Sequence, residues 1–417
     1  MDNSNLIYYF FMKDKELKKL IKAEEKRQSE MLDLIPSENI ISKGVSEALG
    51  SVLANKYSEG YPGKRYYAGN EFADKIENLA KSRAKKVFGL SSNWEVNVQP
   101  YSGSPANIAV YLALIPPGGK IMGMSLDMGG HLTHGHKASA VGKLWKQIPY
   151  GVDKKTETLN YAEITKIAKK EKPQLIVAGF TAYSKIIDFK KFKAIADSIG
   201  AIFMVDMSHF AGLVAGKVYP SPFKYANIIM TTTHKTLRGP RGAMIFSKKE
   251  FSEKIDKAIF PGMQGGPHMN QIAATATALY EAGKPEFKSY AKQIVKNAKA
   301  LADELKKLGW RVISGGTDTH LILIDVFSRG IGGKLASEML EKAGIVVNKN
   351  TIPYDTRNPG DPSGIRLGTP TLTSRGMKEK EMKKIAMLID GVLTKKRKLE
   401  IINKEVKLLC LKFPVRK

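Results

Sequence analysis

The chain has 417 residues, enough for two or three domains, and its 43% hydrophobic and 26% charged residues exclude general disorder. Its one cysteine, Cys410, excludes an intrachain disulfide framework and points to a reducing compartment, read as the cytoplasm. The net charge of +27 raises a nucleic-acid hypothesis. However, no zinc-finger spacing, RNP-like aromatic motif or Gly-Arg repeat accompanies it, so it reads as a solvated basic surface and no nucleic-acid partner is expected.

At the N-terminus, the apolar burst Leu6 to Met12 is too short to cross a bilayer, which takes about 20 residues. Asp2 and Asn3 precede it where a signal peptide would have basic residues, so neither a leader nor a membrane partner is expected. The burst is expected to pack on the body or on a partner subunit. Residues 14–34 predict an amphipathic helix, with Leu17, Leu20, Ile21, Met31 and Leu34 near helical spacing. Residues 35–70 are rich in Pro, Gly, Ser, Asn and Tyr, the composition of a site loop.

From about residue 71 to 283 buried-strand runs alternate with helical stretches. Leu175 to Phe180, Ala201 to Val205 and Ile228 to Met230 are such runs, and Phe189 to Ser198 is a helix between two of them. Alternation of this kind predicts an α/β domain with a mostly parallel sheet. A long helix (Phe287 to Leu308), short strands (Trp310 to Ile313, His320 to Val326) and more helices follow, as in a smaller α/β domain with an antiparallel component.

Two strand ends carry chemistry. One run ends in Asp206-Met207-Ser208-His209 and the next in Thr231-Thr232-Thr233-His234-Lys235. Parallel sheets bind ligands at the carboxyl ends of their strands, so Asp206, His209 and Lys235 would converge on one crevice. Pyridoxal phosphate needs such a lysine for a Schiff base, and a carboxylate to keep its ring nitrogen protonated. The flank Arg238-Gly239-Pro240-Arg241 is cationic company that should lower the lysine's pKa. Ser102-Gly103-Ser104-Pro105, ahead of the apolar stretch Ala106 to Ile115, offers a helix N-terminus for the cofactor's phosphate. Gly262 to Pro267 is a second Gly-rich loop. Arg366 presents a fork suited to an amino-acid carboxylate. His131, His134 and His136 lie together in a Gly-rich loop without cysteine and read as ring-stacking candidates, with no metal expected. Glu59, between Tyr57 and Tyr61, is an acid–base candidate whose pKa partial desolvation would raise.

Together these motifs resemble the serine hydroxymethyltransferase family. The resemblance is carried in order by Ser37-Glu38-Asn39, Asn55 to Tyr67, Ser102-Gly103-Ser104, Gly129 to Gly135, Thr232 to Gly242 and Val347 to Asn350, and runs from about residue 15 to 395. It implies a pyridoxal-phosphate transferase of fold type I: an α/β large domain with a mostly parallel seven-stranded sheet and a smaller C-terminal α/β domain. On this reading the divisions are 1–60, an N-terminal helical arm and site loop; 61–283, the cofactor domain; and 284–417, the small domain.

The resemblance also implies roles. Lys235 carries the cofactor, Asp206 pairs with the pyridine nitrogen and His131 stacks on the ring. His209 and Thr181 lie near the phenolic oxygen, and Thr232 and Tyr67 join the catalytic group. Ser102, Gly103 and Ser104 hold the phosphate, with Gly266 reaching over from a partner subunit. Arg366 and Ser37 bind the serine carboxylate. Tyr57, Glu59 and Tyr67 come from the partner, Glu59 handling protons at the serine hydroxyl. Leu126, Gly130, Leu132 and Asn350 match positions that contact the folate. The implied reaction moves a one-carbon unit from serine to tetrahydrofolate or a related pterin, leaving glycine, in a homodimer with shared sites that is in some members a tetramer.

Departures from the family pattern are Tyr101 where His is often found, Pro105 where Gln is frequent, Met263 in place of Gly, and Thr181 where Ser is usual in some members. A folate-independent threonine aldolase is a rival, opposed by the presence of Tyr57, Glu59 and Asn350. A second rival is a basic nucleic-acid-binding protein without catalysis, opposed by Lys235, Asp206 and Arg366. The excess charge, including Lys143, Lys146, Lys154 and Lys155, suggests attraction of a polyglutamyl folate tail. Equal KM values for mono- and polyglutamyl carriers at low salt would refute that idea.

Overall fold

A computed structural model describes residues 12–415, so the Leu6 to Met12 burst lies, Met12 apart, outside the described residues. The large sheet has seven strands: β1 (Trp94–Asn97), β2 (Lys120–Met124), β3 (Lys146–Tyr150), β4 (Leu175–Gly179), β5 (Ile202–Asp206), β6 (Ile228–Thr232) and β7 (Ala243–Lys248). Their spatial order is β1-β7-β6-β5-β4-β2-β3, and β7 runs antiparallel to the other six strands.

Helices cover both faces of this sheet, which is why its strands read as unbroken apolar runs. Along β4, Ile176 and Ala178 pack with Phe192, Phe203 and Phe210 on one side. Leu175 and Val177 pack with Val110 and Tyr111 on the other, the two-residue period of a strand. The carboxyl ends of β2, β4, β5 and β6 therefore point to one edge.

A second sheet of four antiparallel strands contains β8 (Arg311–Val312), β9 (Leu321–Asp325), β10 (Asn348–Asn350) and β11 (Gly364–Gly368), in the order β8-β9-β11-β10. The helix Pro285–Lys307 joins the two bodies. Phe287, Ala291 and Ile294 belong to the first core, and Ala298, Leu301 and Leu305 to the second. The basic C-terminal segment forms the helices Glu379–Leu393 and Leu399–Lys412, the latter anchored by Ile402, Val406 and Leu409.

The predicted helix over 14–34 is shorter, Lys15–Glu30, with no residue buried. Leu32–Asp33 instead forms a strand parallel to Ile345–Val346. Leu32 and Leu34 alternate into the second core, and their amides bond the carbonyls of Gly344 and Val346. Tertiary pairing here overrides helical spacing. The helix expected to follow Pro105 begins earlier, at Gly103, so Ser104 and Pro105 lie in its first turn.

Candidate active site

Lys235 lies just past the end of β6 in a cavity of about 140 Å3. Ser102, Gly103, Ser104, His131, Thr181, Asp206, His209 and Thr232 line it, as the sequence predicts, joined by Phe180, Ser208, Met230, His234 and Arg241. Position in the sheet explains the convergence. Asp206 closes β5, Thr232 closes β6, and Thr181 follows β4, all at the same edge.

The Lys235 amine donates to Thr232 Oγ1 at 2.9 Å, and its backbone carbonyl accepts from the Asn39 side chain at 2.9 Å. Burial pushes the lysine down to about 8; Asp206 opposes this, and the charges of Arg366 and Arg241 add to it. Desolvation thus outweighs the cationic flank that the sequence suggests as the cause.

Both carboxylate oxygens of Asp206 are hydrogen-bonded. Asn107 Nδ2 donates to its Oδ2 at 3.0 Å, His134 Nε2 lies 3.1 Å from the same oxygen, and the Ser208 amide donates to Oδ1 at 3.1 Å. Burial by itself would raise this carboxyl, but the His134 hydrogen bond, the neighbouring imidazoles and Ser208 outweigh it and hold the group well below the usual carboxylate range. A buried, permanently ionised carboxylate is costly unless something cationic faces it.

The same contacts assign the histidine protons. The His131 amide donates to His134 Nδ1 at 3.2 Å, so the His134 ring proton sits on Nε2 and points at Asp206. Asn107 also donates to Thr133 Oγ1 at 2.8 Å, which turns the threonine hydroxyl toward His131 Nδ1 at 2.7 Å. His131 Nδ1 accepts the Thr133 amide as well, leaving the ring proton on Nε2. Burial, then His134, lowers His131 to about 4, so the ring is neutral. His136 takes no part; its Nδ1 accepts the Ala138 amide.

The phosphate-type turn is tight for a reason. A Cβ on Gly103 would stand 2.8 Å from Thr232 Cγ2, so only glycine lets the helix N-terminus approach the lysine strand this closely. The helix that follows, Gly103–Leu114, carries Asn107 on its buried side.

Arg366 reaches the same edge from β11. Its Nη1 donates to the Thr181 carbonyl at 2.5 Å and its Nε to Asn348 Oδ1 at 3.0 Å. Arg366 is half-buried, and burial pushes its guanidinium down to about 10. Thr181 in turn donates to the Gly130 carbonyl at 2.7 Å, tying the loop that carries Leu126, Gly130 and Leu132. Asn350 pairs with Gly364 across β10 and β11. His209 stacks on His320, ring centroids 5.4 Å apart and Nδ1 to Nε2 3.2 Å. Burial pushes His209 well below and His320 down to about 3.

Other predicted site residues lie apart. Ser37 lines a neighbouring cavity of about 280 Å3 that shares His234 and Arg241 with the lysine cavity. Tyr57, Glu59, Tyr67 and Gly266 line neither cavity. They gather with one another instead: the Tyr57 hydroxyl donates to Glu59 at 3.0 Å, Tyr57 and Tyr67 meet edge to face at 5.1 Å, and Gly266 packs on the Tyr57 ring. Asn107, Thr133, Ser208, His320 and Asn348 join the site without a role assigned from the sequence. A signal exists for two of them: Asn107 interrupts the apolar stretch Ala106 to Ile115, and His320 immediately precedes the apolar strand β9.

The donor set fits pyridoxal phosphate. It combines an ionised buried carboxylate, an amine shifted toward neutrality, a neutral flat imidazole and a helix N-terminus cut close by glycine. The family model described as serine hydroxymethyltransferase matches residues 10–389. The chain is 53% identical over 405 residues to a serine hydroxymethyltransferase of Koribacter versatilis, covering 96% of this chain and 94% of that one. It is 55% identical over 381 residues to one of Acidothermus cellulolyticus (91% and 88%), and 54% over 405 residues to one of Acidobacterium capsulatum (96% and 94%). With a fold-type I sheet, a lysine and a carboxylate at its carboxyl edge, and identity above half across nearly the whole length, this chain belongs to the serine hydroxymethyltransferase family.

Proposed function

We infer that the protein transfers the hydroxymethyl carbon of serine reversibly to tetrahydrofolate, giving glycine and 5,10-methylenetetrahydrofolate, with pyridoxal phosphate as cofactor. Family membership carries the reaction, and the observation that carries the site is Lys235 and the ionised Asp206 lining one cavity at adjacent strand ends. When bound, the cofactor supplies an electron sink for the pair released as the Cα–Cβ bond of serine breaks.

The residues do the rest. Lys235 holds the cofactor's aldehyde carbon, its lowered pKa making the amine available near neutral pH. Asp206 keeps the pyridine nitrogen protonated, and His131 lies against the ring. Ser102, Gly103 and Ser104 hold the phosphate at the helix N-terminus. Thr181 and His209 sit by the phenolic oxygen, and Thr232 steadies the lysine amine. Arg366 binds the substrate carboxylate as a two-pronged donor, with Ser37 beside it. Leu126, Gly130, Leu132 and Asn350 face the carrier.

Tyr57, Glu59, Tyr67 and Gly266 we assign to the site of a second copy in a homodimer. Their gathering away from Lys235 supports this, as does the exposure of Tyr57 and Tyr67. There Glu59 takes and returns the proton of the serine hydroxyl. The residue divisions at 60 and 283 are the proposed domain boundaries, and the cytoplasm is the proposed compartment. Among the described residues no helix is long and apolar enough to cross a membrane.

Serine consumption by the cofactor-loaded protein should require tetrahydrofolate and form 5,10-methylenetetrahydrofolate mole for mole. Cleavage at an equal rate without the carrier would overturn the assignment in favour of an aldolase.

A further inference from the structure

Tyr101 precedes the Ser102–Ser104 turn and is tied to the Gly-rich segment Gln264 to His268 in three ways. Its hydroxyl donates to the Gly266 carbonyl at 2.7 Å. Its ring stacks on His268 with centroids 4.1 Å apart and planes 5° from parallel. Its amide donates to Gln264 Oε1 at 3.1 Å, while Gln264 Nε2 donates to the Gln99 carbonyl at 2.9 Å.

Gly265 and Gly266 have the largest conformational freedom to lose on ordering, and Pro267 has no N–H with which to stabilise the turn. An outside clamp is therefore needed if this turn is to present a fixed surface. The clamp comes from the residue that precedes the phosphate turn, so the two glycine-bearing turns are held to each other.

We propose that Tyr101 is a positioning residue for the cofactor's phosphate: its hydroxyl ties the Gly266 turn, which serves the second copy's site, to the Ser102–Ser104 turn of its own chain. The proposal rests on the reading of Ser102 to Ser104 as the phosphate cradle.

The test compares pyridoxal phosphate with pyridoxal, which lacks the phosphate, by equilibrium dialysis against the full-length protein stripped of cofactor. Tyr101→Phe keeps the ring and its stack on His268 and removes one hydrogen bond. It should raise the Kd for pyridoxal phosphate about fivefold to tenfold and leave that for pyridoxal unchanged. A Ser102→Ala/Ser104→Ala variant serves as reference for the cradle. If the reference weakens pyridoxal phosphate selectively and Tyr101→Phe changes neither Kd, the proposal is wrong and the cradle stands. Equal weakening of both ligands by Tyr101→Phe would mean a general structural role and would also overturn it. If the reference itself fails to discriminate the two ligands, the cradle reading falls and takes the proposal with it.

Discussion

Asn107 Nδ2 lies 3.0 Å from Asp206 Oδ2, and through its second amide proton, 2.8 Å from Thr133 Oγ1, it also governs which nitrogen of His131 carries a hydrogen. One buried amide thus sets both the Asp206 carboxylate and, through Thr133, the His131 imidazole, the two groups proposed to meet the pyridine ring. Among the described residues its own Oδ1 has no partner, a cost accepted for that orientation.

Asn107→Ala is therefore expected to weaken pyridoxal phosphate binding by about tenfold or more, since hydrogen bonds to charged groups are worth about 1.5–3 kcal/mol. Asn107→Asp should be worse, because it puts a second negative charge beside Asp206. Titration of cofactor binding in the two variants checks the order. A Kd for the alanine variant equal to that of the unaltered protein would rule the role out.

The lowered pKa of Lys235 has a kinetic signature. Condensation with pyridoxal needs the neutral amine, so the rate should climb with pH up to about 8 and then level off. An ordinary lysine would keep climbing toward about 10.4. Arg366 contributes to the lowering, so Arg366→Leu should move the inflection to higher pH. Stopped-flow rates between pH 6 and 10 decide this, and an inflection unmoved by the arginine change would argue against the coupling.

Acid should destabilise the protein through its histidines. His131, His209, His234 and His320 are all depressed by burial first, to about 4, well below, about 3 and about 3 respectively. As pH falls below about 6.5 the unfolded chain takes up protons that the folded one refuses, so stability present above that pH is lost toward about pH 4, by up to about 1.4 kcal/mol per pH unit for each histidine. Asp33, pushed up to about 7 by burial and by Glu38, works in the opposite direction and offsets about one of them. Urea midpoints of the cofactor-free protein at pH 7.5 and 5.5 should therefore differ, with the lower value in acid, and His320→Gln should flatten the slope by about one proton. A midpoint independent of pH would contradict the account.

The proposed sharing of sites between two copies predicts complementation. Glu59→Ala and Lys235→Ala variants should each be inactive. Mixed under conditions that exchange subunits, they should regain about a quarter of the unaltered activity, because half the dimers are mixed and each mixed dimer has one intact site. Failure to regain any activity despite proven exchange would mean that Glu59 serves the lysine of its own chain.

The sequence by itself determined the α/β class, the strand ends that bear Asp206 and Lys235, and the glycine turn ahead of an apolar helix. These features are local: two-residue and helical periodicities, turn residues and motif spacing are all written in neighbouring positions. The tertiary structure alone decided that burial, more than the Arg238–Arg241 flank, tunes Lys235. It alone brought Asn107 to Asp206 across 99 positions, set His320 against His209, and turned Leu32–Asp33 into a strand. Desolvation, proton placement and strand pairing depend on what packs against a residue from distant segments. No stretch of sequence around the residue contains that information, and only the folded chain supplies it.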